Sequence, residues 1–376
     1  MSAARAALAP ALAGAALRLA LAAVLPLTPR WDGHWYAALA TRLADGAGYT
    51  EGHAATAFWP PGLPLALAAA MRLTGAGVEA ATLAVNLLAT ALACWAAAAM
   101  TDDLRVAKRA SWIVALYPGL ALWSLATMTE TLTAALAVCS LALLRRTGPR
   151  PVALAGLAAG LAALARPPSL LLALAAWPAR RSWKALALCA ACALAAVAPW
   201  TARNALALDA PALVSTNGGS NLYIGTTPES DGGYLRPGVD ALCPDAHGEV
   251  ARDRCLTRLA LARVARAPMR QLDLAARKLL RTVAVEVDPA AWHFARVAGA
   301  LDPRAVALGV LCTAAWWALV IFALRGARRV PREALAPTAW AVGLTLATHA
   351  VFIGADRYHL VLVPMLAPLA ARGWRR

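Results

Sequence analysis

The stretch VEAATLAVNLLATALACWAAAAM, Val78 to Met100, contains one charged side chain, Glu79, in 23 residues. About 20 apolar residues, rising ~1.5 Å each in an α-helix, cross a hydrocarbon core, so this stretch reads as a membrane span. Blocks of similar character are Ala6–Pro29, Leu125–Leu144, Ala185–Trp200, Ala305–Leu324 and Ala334–Ile353. The whole chain of 376 residues is 61% hydrophobic, against about 45–50% for a soluble domain, and its mean hydropathy is +0.58. The alternation of an outer-membrane barrel strand is missing. The reading is an all-α polytopic membrane protein with about 10–11 transmembrane helices, some of them short and broken. The first block shows no small-residue cleavage site and reads as an uncleaved first span.

A formal charge of +16 invites a nucleic-acid reading, but the placement of the charge argues against one. Arg145, Arg146 and Arg150 share one short loop, Arg180, Arg181 and Lys184 another, and Arg325, Arg328, Arg329 and Arg332 a third; Arg372, Arg375 and Arg376 form the tail. Basic residues in short loops mark the cytoplasmic side. The charge therefore encodes orientation in a plasma (inner) membrane, and no nucleic-acid partner is expected. Thr101–Arg109 is placed with the basic loops. The 30–61 loop, a Tyr117–Ser124 turn, Asn204–Pro303 and Gly354–His359 then share the extracytoplasmic face. Three units follow: a transmembrane module over 1–203, a polar segment over 204–303, and C-terminal transmembrane helices over 304–376.

Two places break the pattern of full spans. Gly62–Thr74 is too short to cross a core roughly 30 Å thick, and Pro151–Ala165 and Pro168–Pro178 are short helices joined at Arg166-Pro167-Pro168. Such interruptions occur at membrane depth where they are buried in protein or line a cavity. In the polar segment, Ser215–Tyr234 is rich in Gly and Asn and reads as loop. Glu249–Val287 reads as a basic amphipathic helix, suited either to an anionic membrane surface or to packing on the same chain. Cys243 and Cys255 lie in this segment and can pair if it faces an oxidising compartment, although spacing alone leaves the pairing open. The other five cysteines lie in apolar blocks.

Polar side chains beside or within the membrane are the first candidates for chemistry. Asp32 follows the first span among Trp31, Trp35 and Tyr36, a setting that suits a general base and equally a solvated loop charge. Glu130 stands at the mouth of a span. Arg166 and Arg357 could each bind a lipid phosphate through paired N–H donors, or reach the interface as solvated cations. A divalent metal is conceivable beside Asp32, Glu51, His34 and His53, though their spacing matches no strong ligand pattern. No phosphate-binding Gly loop, HExxH or GxSxG is present.

Several motifs together resemble a known group. They are Asp32-x3-Tyr36 with Leu43–Tyr49, Thr56-Ala57-x2-Pro60-Pro61-Gly62-Leu63-Pro64, Thr129-Glu130-Thr131-Leu132 and Gly156–Pro167. Pro199-Trp200-Thr201-Ala202-Arg203-Asn204, leading to Ser215–Gly225, and Arg357-Tyr358-His359 with Pro364 complete the series. In this order they are similar to bacterial GT-C membrane glycosyltransferases of family 39, which include protein O-mannosyltransferases and aminoarabinose transferases; Trp31–Tyr36 also looks like the first loop of PIG-V-type mannosyltransferases, which act on lipids. The resemblance implies a GT-C fold with a large extracytoplasmic loop, and a polyprenyl-phosphate-linked sugar as donor substrate. It also implies an inverting transfer to an acceptor glycan, lipid or protein. Asp32 would be catalytic, and His34, Tyr36, Glu130, Arg166, Arg203, Asn217, Arg357 and Tyr358 would bind substrate, with Arg357 and Arg203 on the phosphate. The chain departs from the family pattern at Gly33, where many members have a second acid, and at Trp59, where many have Arg. A transporter or flippase of lipid-linked sugars is the rival class; it predicts an internal repeat, and none is visible.

Overall fold

The computed structural model describes residues 3–235, 242–294 and 302–374. Among the described residues five helices are long and apolar enough to cross a membrane: α1 (Ala3–Ala22), α4 (Val78–Ala99), α10 (Trp183–Ala207), α15 (Pro303–Ala327) and α16 (Arg332–Val351). Shorter helices fill the space between them. These are α2 (Asp32–Ala44), α3 (Gly62–Thr74), α5 (Leu104–Leu116), α6 (Pro118–Trp123), α7 (Glu130–Leu144), α8 (Pro149–Ala165), α9 (Ala176–Arg180) and α17 (Val363–Gly373). The polar segment adds α11 (Gly218–Thr226), α12 (Glu249–Arg266), α13 (Pro268–Val283) and α14 (Asp288–Ala291). Two 3₁₀ stretches, Pro167–Ala175 and Asp356–Leu362, precede α9 and α17. Among the described residues the only strands are Thr50–Glu51 and Ala54–Ala55, an antiparallel pair.

Alanine lets the helices approach closely. Ala89, Ala93 and Ala97 of α4, Ala135 and Ala142 of α7, and Ala155 and Ala159 of α8 all belong to one buried cluster. Small side chains at helix contacts favour association in lipid, where burial of apolar surface supplies little drive.

The apolar block at Leu125–Leu144 is not one helix, and the Tyr117–Ser124 turn is not a turn. Pro118 starts α6 there, and the chain unwinds over 124–129 before α7 begins at Glu130. Unwound backbone away from water needs partners. Asn86 of α4 donates from Nδ2 to the Ser124 carbonyl (2.8 Å), and Thr82 bonds Thr127 (3.1 Å). A similar repair occurs where Pro118 interrupts the helix after α5: buried Arg18 of α1 donates to the Ala115 carbonyl (2.8 Å).

Two expectations for the polar segment are corrected. Part of Ser215–Tyr234 is helix α11, because its glycines serve close packing. A Cβ on Gly219 would lie 2.1 Å from the Asp253 carbonyl of α12, and the Gly219 amide donates to the Asp253 carboxylate. Glu249–Val287 is two helices, divided at Ala267-Pro268 because proline lacks the amide that an uninterrupted helix would use. The basic helix packs on its own chain: α13 buries Leu274, Lys278 and Thr282 and exposes Met269, Leu272 and Leu280. Cys243 and Cys255 are paired, with Cα atoms 6.4 Å apart.

The loops sort to two ends. Arg145 meets Asp102 (3.1 Å), Arg372 donates to Thr101 (3.2 Å) and Arg329 to the Arg372 carbonyl (3.4 Å), which gathers basic loops around Thr101-Asp102. At the other end of α7, Arg30 donates to the Trp292 carbonyl, the Thr216 amide to Ala57, and the Gly354 amide to Gly232. The first loop, the polar segment and the turn after α16 therefore meet at one mouth.

Candidate active site

Four breaks in the helices converge at this mouth. Asp32 is the first residue of α2, and the preceding Trp31 has φ 44° and ψ −124°, a region that non-glycine residues rarely occupy. Such strain tends to be kept where it positions function. Trp31 meets the buried Trp292 edge-on, with ring centroids 5.1 Å apart. Glu130 opens α7 and is fully buried. Arg166 ends α8 in an extended conformation, as expected for a residue before proline. Arg357 sits in the 3₁₀ turn between α16 and α17.

The side chains form a chain of alternating charge. Arg166 Nη1 donates to Glu130 Oε1 (2.8 Å), and Trp123 Nε1 donates to Glu130 Oε2 (3.0 Å). Arg357 Nη2 donates to Asp32 Oδ2 at 3.3 Å, while its Nε lies 3.7 Å from Glu130 Oε1 without a hydrogen bond. Tyr358 places its ring beside both guanidinium groups, 4.7 Å from Arg166 and 5.2 Å from Arg357, and stacks on His349. Tyr36, one helical turn after Asp32, is buried with its ring edge-on to Trp59.

Asp32 retains 40% of its side-chain exposure while Glu130 retains none. The exposed carboxylate is the one that an incoming group can reach. Partial burial pushes the Asp32 carboxyl above the ordinary range, and Arg357 beside it pulls the other way. Glu130 is held by Arg166 and Trp123 and lies between the two guanidinium groups. Arg357 makes one long hydrogen bond, so it keeps donors for an oxyanion.

Of the nine side chains singled out from sequence, Asp32, Glu130, Arg166, Arg357 and Tyr358 meet here, with Tyr36 on the same face of α2 as Asp32. The other three are elsewhere. His34 is exposed on α2. Arg203 donates to the carbonyls of Thr56 and Tyr49 (2.7 Å each) and to Asn204 (3.1 Å), bracing the strand pair. Asn217 precedes α11 and accepts from the Ser215 hydroxyl (2.9 Å). Trp123 and Trp292, which sequence reading passed over, wall the cluster, with ring centroids 5.2 Å apart. Trp123 stands just before the Leu125–Leu144 block and Trp292 inside the polar segment, and neither position carried a signal of the site.

Gly33 sits in a tight place: a Cβ there would lie 3.2 Å from the Thr127 carbonyl and 3.4 Å from Trp292, so a larger residue needs the Thr127 backbone to give by a few tenths of an ångström. Among the described residues no three His, Cys, Asp or Glu side chains gather as metal ligands. With each carboxylate facing a guanidinium, the donor set fits an anion better than a cation.

No family model matches the chain, and no characterised protein matches it by sequence. Solved structures do. The archaeal oligosaccharyltransferase AglB from Archaeoglobus fulgidus, in complex with an inhibitory peptide and a dolichol-phosphate, gives a TM-score of 0.52 at 16% identity, covering 97% of this chain and 50% of that one. The apo form of the Archaeoglobus fulgidus oligosaccharyltransferase gives 0.54 at 15% identity, covering 96% and 50%. ArnT from Cupriavidus metallidurans bound to undecaprenyl phosphate gives 0.43 at 16% identity, covering 95% and 77%. The chain spans about half the length of the archaeal structures. At these identities the likeness is one of architecture: the chain is an all-α, multi-pass membrane protein with the GT-C fold.

Proposed function

We propose that the protein transfers a sugar from a polyprenyl-phosphate-linked donor to an acceptor hydroxyl, with inversion, at the extracytoplasmic face of the plasma membrane. The observation that carries this reading is the Arg357 guanidinium, held between Asp32 and Glu130 with donors to spare at the mouth of the bundle. Two supports stand beside it. The archaeal neighbour of the same fold was solved with a dolichol-phosphate, and the basic loops gather at the opposite end, which the positive-inside tendency assigns to the cytoplasm.

The steps follow from the geometry. A donor phosphate entering the mouth competes with Asp32 for Arg357. As the guanidinium turns to the phosphate, Asp32 loses the cation that held its pKa down and becomes a stronger base. Asp32 takes the proton of the acceptor hydroxyl, and the acceptor oxygen forms its bond to the anomeric carbon from the face opposite the phosphate. The bond between that carbon and the phosphate oxygen breaks, and its electron pair leaves with the polyprenyl phosphate. Arg357, steadied by Glu130, meets the charge that develops there, which is electrostatic stabilisation by a preorganised donor. Arg166 pairs with Glu130 in its buried setting.

The test is turnover by the purified protein in nanodiscs with undecaprenyl-phosphate-linked mannose, glucose and aminoarabinose, read as released undecaprenyl phosphate. Mass spectrometry of envelope lipids and glycans from cells with and without the protein identifies the acceptor. Asp32→Asn keeps the shape and removes the base, so the rate should fall about 10²–10⁴-fold with the protein still folded. Full activity in that variant removes Asp32 from the mechanism.

A further inference from the structure

A second polar cluster lies behind the first, buried and without contact to solvent. His359 and Glu286 are both fully buried, and Tyr117 nearly so. His359 Nδ1 donates to the Thr282 carbonyl and Nε2 faces Glu286 Oε2 at 2.6 Å. The Tyr117 hydroxyl donates to the same carboxylate oxygen. The His359 ring stacks on Trp316 of α15, centroids 3.9 Å apart. Gly119 leaves room for the acid, since a Cβ there would overlap Glu286 Oε1 at 1.6 Å. Desolvating such a group is unfavourable unless its geometry is tightly satisfied, and a Leu would fill the space more simply.

What the polar pair adds is direction. In a 3₁₀ turn, residues three apart eclipse one another, so Asp356 and His359 share a face. Both are anchored to the end of the polar segment: Asp356 Oδ2 accepts from the amides of Val287 and Asp288, and His359 is held by Thr282 and Glu286. One turn earlier Lys278 Nζ donates to the Val351 carbonyl (2.7 Å). With that face pinned, Arg357, one-third of a turn away, faces Asp32 and Glu130. No hydrogen bond or ion pair among the described residues joins Glu286, His359 or Tyr117 to Asp32, Glu130, Arg166 or Arg357.

We propose that Glu286 and His359 are positioning residues that aim Arg357 at the donor phosphate, so that the stretch from Lys278 to Asp288 belongs to the phosphate-binding machinery although it does not touch the phosphate. This rests on the donor reading above, and the test separates the two. Affinity for undecaprenyl phosphate is measured in nanodiscs for wild type, Arg357→Gln, His359→Phe and the double variant. His359→Phe keeps the ring on Trp316 and removes both hydrogen bonds. It should weaken binding about 10–10²-fold, the scale of a misplaced site group, and should have almost no further effect in the Arg357→Gln background. Glu286→Gln, which keeps a hydrogen-bonding side chain of the same shape, should retain most of the affinity, whereas Glu286→Leu should not. Equal weakening by His359→Phe in both backgrounds would mean general structural damage and overturn the proposal, as would wild-type affinity in His359→Phe alone. If His359→Phe does not fold, Tyr117→Phe goes through the same cycle, with a loss of several-fold expected only when Arg357 is present. A wild type that does not bind undecaprenyl phosphate, or an Arg357→Gln variant that binds it unchanged, brings down the donor reading instead.

Discussion

Arg203 and Arg357 look interchangeable in the sequence: each follows an apolar span, each neighbours a motif of the same family pattern, and each suits a lipid phosphate. The structure treats them differently. Arg203 directs its amino groups to three protein oxygens at 2.7–3.1 Å and lies over the rings of Trp200 and Tyr49. Its neighbourhood is closed by Glu249, which accepts from the Thr56 and Thr216 hydroxyls and the Ala57 amide. Arg357 has one hydrogen bond at 3.3 Å and an Nε with no hydrogen-bond partner, 3.7 Å from Glu130. A guanidinium with three hydrogen bonds to protein oxygens is a brace; one held between two carboxylates with a single hydrogen bond is the one that the proposed mechanism assigns to the phosphate. The difference lies in how many hydrogen bonds each guanidinium makes, three against one, which no residue type announces.

The largest effect that can break this comparison belongs to Arg357. On the proposed mechanism Arg357→Gln removes the charge that meets the leaving phosphate, and turnover should fall about 10²–10³-fold. The pH profile sharpens the point. As the proposed base, Asp32 would act in its ionised form, so kcat/KM should rise with pH through the Asp32 pKa, which burial places above the ordinary carboxylate range. Arg357 lowers that pKa; without it, the acid limb should move to higher pH. A limb that stays in place would show that Asp32 does not sense Arg357.

Much of the site could be read in advance because its residues are costly where they stand. An acid at the mouth of α7, an Arg before a Pro-Pro pair and an acid between tryptophans after a span each call for a partner, and the structure supplies them from one another. The short helix Gly62–Thr74 was legible for the same kind of reason: Pro61-Gly62 begins it, and Gly75 ends it in the left-handed conformation that glycine adopts freely. Glu286 was not legible. It sits between valines in a stretch that looks like the end of an amphipathic helix, and its partners are 73 and 169 residues away. Pairing over such distances is a property of the packed bundle. Helix α11 was missed because glycine signals both turns and close approach, and only the facing Asp253 carbonyl decides between them.

The brace predicts a smaller effect of another kind. Arg203→Ala takes the guanidinium donor from the Thr56 carbonyl and leaves the Tyr49 carbonyl with the Thr56 amide alone, a loss of about 1–3 kcal/mol. The protein in detergent should melt at lower temperature, while turnover per folded molecule stays within about twofold of wild type. The same pattern is expected for Glu249→Gln, which keeps a side-chain acceptor but loses the charge that strengthens its bonds. If instead Arg203→Ala weakened undecaprenyl-phosphate binding with no loss of melting temperature, Arg203 would rank with Arg357 as a phosphate ligand.

The smallest expected effect concerns the disulfide. Cys243 and Cys255 close a short loop at the start of α12, 12 residues apart in sequence, and no hydrogen bond or ion pair among the described residues ties either to the Asp32–Arg357 cluster. A closed loop of about 15 residues contributes roughly 3 kcal/mol by restricting the unfolded chain, and the rest of the bundle carries its own packing. Cys243→Ser/Cys255→Ser should therefore lower resistance to heat and to proteolysis near α12, with kcat and KM almost unchanged. Thiol labelling checks the pairing directly. In intact cells a membrane-impermeant maleimide should fail to modify these two residues until a reductant is added, and should then modify both, since the proposed orientation puts them outside the membrane barrier. Immediate labelling would mean that the pair does not form; labelling only after cell lysis and reduction would turn the bundle over and move Asp32 to the cytoplasmic side with it.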